Sequence, residues 1–168
     1  TPQGPLYLDL YLPAKPQGRI PLMVWIHGGG FHTHPTARDD YLPGRVVARE
    51  AERLWRGAGI APLLSSFEPP SLAAARDAVR GLRRALLLDR LAPGWFELAQ
   101  ELECAAVVTA YPLMDAAVIA RLHGAGLRAL CYTVNDAAEA QRLIGLGIDG
   151  IITDAVDRFS PAASAGTV

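Results

Sequence analysis

"LRALCYTVNDAAEAQRLIGLGIDGIITD", residues 127–154, is the stretch on which the fold turns. It opens on an apolar run, "LRALCYTV" (127–134), and closes on another, "DGIITD" (149–154). Between them lies "NDAAEAQRLIGLG", whose apolar residues recur at helical spacing and which ends in glycine, where a helix C-terminus favours it. An antiparallel pair needs only a tight turn, whereas a parallel pair needs a crossover of a dozen or so residues. The stretch therefore predicts one strand–helix–strand unit with parallel strands.

The same unit recurs towards the N-terminus. "APLLSSF" (61–67), "RALLLD" (84–89) and "AAVVTA" (105–110) are further strand candidates, so the five runs start at 61, 84, 105, 127 and 149. "PSLAAARDAVRGL", "PGWFELAQEL" and "LMDAAVIARLHGAG" fill the gaps with amphipathic helix patterns. Nearly unbroken apolar strands alternating with helices mean a parallel sheet covered by helices. The even spacing, with no glycine-rich phosphate turn after the first run, favours a (β/α) barrel over a doubly wound sheet. The expected fold is α/β: a partial TIM-type barrel of about five parallel βα units.

The first 60 residues offer two more strands, "LYLDLYL" (6–12) and "PLMVWIHGG" (21–29). The "PAKPQGRI" linking them suits a hairpin and is too short for a crossover. Such a set falls short of the eight strands of a closed barrel, which predicts completion by self-association as a dimer or tetramer.

Composition bounds the function. A net charge of −1 gives no electrostatic reason to expect nucleic acid. Only Lys15 is a lysine, and the arginines at 49, 53, 56, 76, 80, 83 and 84 read as a solvated helix face. Cys104 and Cys131 form no CxxC pair and read as buried free thiols, which points to a reducing, cytoplasmic setting. No apolar run approaches the ~20 residues of a membrane span, so a soluble protein is expected.

In a barrel of this kind, chemistry sits at the C-terminal ends of the strands. Ser65, Ser66, Phe67, Glu68, Asp89, Tyr111, Tyr132, Thr133, Asn135, Thr153 and Asp154 fall there. Ser65, Phe67, Tyr132, Asn135, Thr153 and Asp154 are the substrate-pocket candidates. Asn135 and Asp154 suit helix N-caps equally well. His32 and His34, with His27, Asp39 and Asp40 nearby, could chelate a divalent metal, because His-x-His on extended chain sets the rings about 7 Å apart on one side. A polar, solvated loop is the simpler reading.

Two resemblances follow from these residues. Residues 6–31, with Asp9, Tyr11, Pro13 and then His27 to Phe31, resemble the front of an α/β-hydrolase of the carboxylesterase type. The resemblance implies an oxyanion site at Gly28, Gly29 and Gly30. No GxSxG nucleophile occurs; Ser164 in "ASAG" lies close to the C-terminus and has no helix behind it. Residues 35–161 resemble the C-terminal portion of a bacterial cytosolic glycerophosphodiester phosphodiesterase, through "GRVVAREAERLW", "PLLSSFEPPSLAAARDA", "GLRRALLLD" and residues 127–154.

That second resemblance implies a TIM-type barrel hydrolysing glycerophosphodiesters with a divalent metal, magnesium or calcium. It also implies an aromatic contact from Tyr132 to the glycerol part of the substrate. The family's "HRG", "ENT"-like, "E-x-D" and "HD" elements are absent from the sequence. If Pro35 ends the family's "E-I-K-P", then His32 and His34 replace the glutamate and lysine, and Ala110 stands where a polar residue is expected. The division expected is 1–34 (hydrolase-like strand pair), 35–161 (half-barrel) and 162–168 (flexible tail). Three functions stay open: a chimeric fragment without efficient catalysis, a weak metal-dependent phosphodiesterase, and an esterase.

Overall fold

The computed structural model describes residues 23–25, 42–58, 62–155 and 158. Six strands form one sheet: β1 (Met23–Trp25), β2 (Leu63–Ser66), β3 (Arg83–Leu88), β4 (Ala106–Ala110), β5 (Arg128–Tyr132) and β6 (Gly150–Ile151). They are hydrogen-bonded in sequence order, and every neighbouring pair is parallel. A doubly wound sheet reverses direction at a switch point. This sheet does not, so right-handed crossovers keep the helices on one face, as in a barrel segment.

The strand expected at 21–29 joins this sheet parallel to β2, with Val24 opposite Leu64. Its expected hairpin partner at 6–12 lies outside the described residues. Five helices follow the first five strands: α1 (Leu42–Trp55), α2 (Pro69–Ala78), α3 (Trp95–Glu101), α4 (Ala116–Gly124) and α5 (Ala137–Gly145).

Alternation along the strands sorts side chains between two layers. Leu64, Leu86, Val107, Ala129 and Cys131 face the helices, where they meet Ala48, Ala51 and Ala75, or Ala99, Ile119, Leu122, Ala140 and Leu143. Ala85, Leu87, Ala106 and Val108 form the opposite layer with Phe67, Leu130, Tyr132 and Ile152. The helices obey the pattern that predicts them. Ala48, Ala51 and Trp55 share one face of α1, and Ile119 and Leu122 one face of α4. Asp115 caps α4 through the Val118 N–H (2.8 Å), and Asp136 caps α5 through that of Glu139 (2.9 Å).

Helix ends show the same economy. Gly126 (φ 74°) and Gly147 (φ 85°) close α4 and α5 in the left-handed region. Leu127 N–H then returns to the Leu122 carbonyl, and Ile148 N–H to that of Leu143. At α3 the same turn is made by Glu103 (φ 52°), a residue with a Cβ where glycine is cheaper. Gly44 is required for another reason: a Cβ there would stand 2.3 Å from the Ser71 carbonyl, so α1 and α2 touch backbone to side chain position.

One expectation needs correction. Arg83 and Arg84 do not extend a solvated helix face; both are on β3, and Arg84 is only 3% exposed. Its guanidinium donates to the carbonyls of Leu82 (2.6 Å), Glu103 (3.1 Å) and Leu102 (3.4 Å), tying the end of α3 to the start of β3. Burial lowers its pKa, with Cys104 and Glu103 opposing. Cys104 and Cys131 are free and buried, as expected, and burial pushes each thiol up to about 11.

Candidate functional site

The C-terminal ends of β2, β3, β5 and β6 bring together most of the residues predicted to carry function. Phe67, just past β2, meets Tyr132 at the end of β5 edge to face, with ring centroids 5.9 Å apart. The Tyr132 hydroxyl donates to the Leu88 carbonyl at 3.0 Å, which pins the ring across the end of β3. Burial raises the phenol's pKa, and the neighbouring Asp89 charge adds to the shift. The phenol therefore stays protonated, its proton given to the Leu88 carbonyl. Ala110 is opposite Tyr132 in register, a small residue beside the ring.

Asn135 joins two strand ends. Its carbonyl oxygen accepts from the Thr153 hydroxyl (2.9 Å) and from the Asp154 backbone N–H (3.0 Å). Thr153 in turn accepts from the Ala155 N–H (3.0 Å). The loop after β6 is thus clamped to the loop after β5, next to the backbone bond from Val134 N–H to the Ile152 carbonyl. Asn135 is not the N-cap of α5; Asp136 holds that place. The signal was legible, since Asp136 and Glu139 form an Asp-x-x-Glu capping pattern.

Other candidates turn elsewhere. Ser66 faces the helix side, and its hydroxyl accepts from the Glu68 N–H at 3.1 Å, stabilising the turn into α2. Tyr111 packs against the helix-side core. Ser65 is wholly buried one pleat below Phe67, its hydroxyl without a hydrogen-bond partner among the described residues, so it is not at the open end. Glu68, Asp89 and Asp154 are exposed carboxylates there, and Thr133 is half-buried. Gly28, Gly29, Gly30, His32, His34 and Ser164 lie outside the described residues.

Among the described residues, no three His, Cys, Asp or Glu side chains gather closely enough to hold a metal ion. The described carboxylates therefore do not fit the divalent metal that the resemblance implies. A cleft of about 550 Å³, lined by Trp55, Arg56, Val79 and Arg80 among others, opens at the opposite end of the sheet. It lies between helix C-terminal turns, away from the end where such folds do chemistry.

A singly wound parallel sheet with its helices on one face is the architecture of a (βα) barrel segment. Residues 37–158 match the glycerophosphoryl diester phosphodiesterase family, and the chain belongs to it. No curated protein matches.

The fold resembles that of an Oleispira antarctica phosphodiesterase solved with its product sn-glycerol-3-phosphate (TM-score 0.63, 20% identity, 73% of this chain and 51% of that one). It also resembles a Silicibacter pomeroyi protein described as a glycerophosphoryl diester phosphodiesterase (0.62, 19%, 73% and 44%). A third is a glycerophosphodiester phosphodiesterase from Parabacteroides distasonis (0.56, 17%, 75% and 52%). The chain thus spans about half the length of the structures it matches. No helix among the described residues is long and apolar enough to cross a membrane.

Proposed function

We propose that this chain is the ligand-holding half of a glycerophosphodiester phosphodiesterase barrel, which binds a glycerol phosphate but does not turn over diesters efficiently. The observation that carries the reading is the convergence of Phe67, Tyr132, Asn135, Thr153 and Asp154 at one end of a singly wound sheet. The family's "HRG", "E-x-D" and "HD" elements, which the resemblance makes the carriers of acid–base and metal chemistry, do not occur in these residues, which supports the reading of inefficient turnover by them alone. The reading of residues 6–31 as a hydrolase-like strand recombined onto a half-barrel rests on their sequence pattern alone. Association of two or four copies is the proposed means of closing the barrel.

The test is a pair of assays on the whole chain. Binding of sn-glycerol 3-phosphate, followed by calorimetry, is expected. Release of glycerol phosphate from a glycerophosphodiester is expected to stay at background with and without magnesium or calcium. Chelator-sensitive turnover would instead establish a weak metal-dependent phosphodiesterase drawing on His32 and His34. Hydrolysis of an aryl acetate, blocked by a serine-directed phosphonate, would establish the esterase.

A further inference from the structure

We infer that the cleft between the end of α1 and the turn from α2 into β3 is a binding site for a free α-amino acid with an apolar side chain. It lies at the N-terminal end of the sheet and is independent of the proposed glycerol phosphate site.

Two stretches of chain bound this space of about 550 Å³, a size that suits one small molecule. The last turns of α1 contribute Glu52, Trp55 and Arg56, and the turn into β3 contributes Val79, Arg80 and Gly81. Both stretches are held by their own backbone. Beyond α1 the chain turns at Gly57 (φ 83°), and the Ala58 N–H returns to the Trp55 carbonyl at 2.9 Å. The Leu82 N–H closes the second turn on the Val79 carbonyl at 3.2 Å. The apolar lining comes from Pro62 and Leu82, which are buried, and from Trp55 and Val79, which are half-buried. A Cβ added at Gly81 meets no atom within 4 Å, so the space is open at that residue.

Charge decides what the cleft would take. Arg56 and Arg80 line it from two different elements, and neither makes a hydrogen bond or ion pair among the described residues. Glu52 lines it one helical turn before Arg56 and is likewise unpaired there. The last carbonyls of α1 and α2 add partial negative charge at this end. Two cations thus meet one carboxylate and two helix C-termini, so both signs are present and little net charge remains. A simple anion or cation would be attracted by one set and repelled by the other. A zwitterion satisfies both. Guanidinium forks suit its carboxylate, and Glu52 suits its ammonium. The Trp55 indole gives an apolar side chain a flat surface to pack on. An α-amino acid carries these three groups on one carbon.

The experiment titrates the whole chain with L-phenylalanine, N-acetyl-L-phenylalanine, which lacks the ammonium, and L-phenylalaninamide, which lacks the carboxylate. Backbone amide and indole N–H resonances are followed by NMR. L-phenylalanine is expected to shift the Trp55 indole and residues 79–82 and to leave residues 132–135 unmoved. Each derivative should bind roughly three- to tenfold more weakly, the smaller figure reflecting the screening of exposed charges. Arg80→Gln should weaken L-phenylalanine to the same extent and leave phenylalaninamide unchanged. Glu52→Gln should weaken it likewise and leave the N-acetyl compound unchanged. Gly81→Trp fills the open space and should abolish binding with the circular dichroism spectrum kept. Absence of saturable shifts at millimolar L-phenylalanine overturns the site. Derivatives that bind as tightly as the amino acid show that its charges are not read, and the inference fails. Wild-type binding by a folded Gly81→Trp variant, or by both charge variants, places the ligand elsewhere and overturns it too.

Discussion

The two ends of this sheet are built from similar residues and treated in opposite ways. At the N-terminal end, polar groups outside the α1–α2 cleft are consumed internally. Asp149 accepts from the Ala129 N–H (2.8 Å), from Arg128 (2.8 Å) and contacts His123 Nε2 (2.7 Å), joining α4, β5 and the turn into β6. Arg84 is spent on three carbonyls. At the C-terminal end, one oxygen of Asn135 takes both hydrogen bonds of the clamp, while its amide nitrogen and the carboxylate of Asp154 make no hydrogen bond among the described residues. Saturated polar groups stabilise; oriented and unsaturated ones recognise ligands. The difference separates the residues that hold the fold from those that would serve function.

Substitutions at the saturated end should cost stability without altering glycerol phosphate affinity. The largest loss is expected for Arg84→Met, about 3 kcal/mol or more in urea unfolding, because three carbonyls in a buried layer lose their donor. Arg84→Lys should not restore it, since one ammonium cannot reproduce the guanidinium fork. A loss as large at Asn135 would blur the contrast between the ends.

Gly44→Ala should cost about 1–3 kcal/mol by forcing α1 away from the Ser71 carbonyl. Circular dichroism during thermal unfolding would show the loss, with glycerol phosphate affinity unchanged below the transition.

Asp149 supplies the pH dependence. Burial pushes its carboxyl up, but the Ala129 N–H, His123 and Arg128 outweigh that and hold it below its ordinary 3.8. A depressed folded pKa means the unfolded chain takes up the proton first. The stabilisation is therefore present above the unfolded value and lost as pH falls through the folded one, below about pH 4. Asp149→Asn should lower stability at neutral pH by about 1–2 kcal/mol and flatten the acid limb of a stability–pH curve. An unchanged acid limb would show that this cluster does not carry it.

The smallest effect has the opposite sign. Glu103→Gly should stabilise by up to about 1 kcal/mol, since glycine suits φ 52° and the carbonyl that serves Arg84 is kept. Destabilisation would mean that the Glu103 carboxylate, 3.7 Å from Arg84, matters more than the backbone angle.

The contrast also explains what could be read from the amino-acid order. The strand–helix rhythm was legible because apolar strands such as "ALLL" and "AVV" are buried on both faces and their helices carry single apolar stripes. Strand ends fell within a few residues of those expected, and with them the position of Phe67, Tyr132, Asn135 and Asp154. Side-chain direction was less legible. Ser65 and Ser66 are neighbours, yet alternation sends one into the inner layer and the other towards the helices. The work of Arg84 and Asp149 was hidden because it depends on carbonyls and N–H groups distant in sequence, which leave no trace in residue type. Asn135 looked like a cap because the cap and the clamp ask for the same side chain one residue apart.

The most direct test of the account is a backbone amide NMR titration of the whole chain with sn-glycerol 3-phosphate. The account predicts shifts confined to the C-terminal end, around residues 67–68, 132–135 and 153–155, with His123, Arg128 and Asp149 unmoved. Shifts centred on the N-terminal end, or none at saturating ligand, would contradict it.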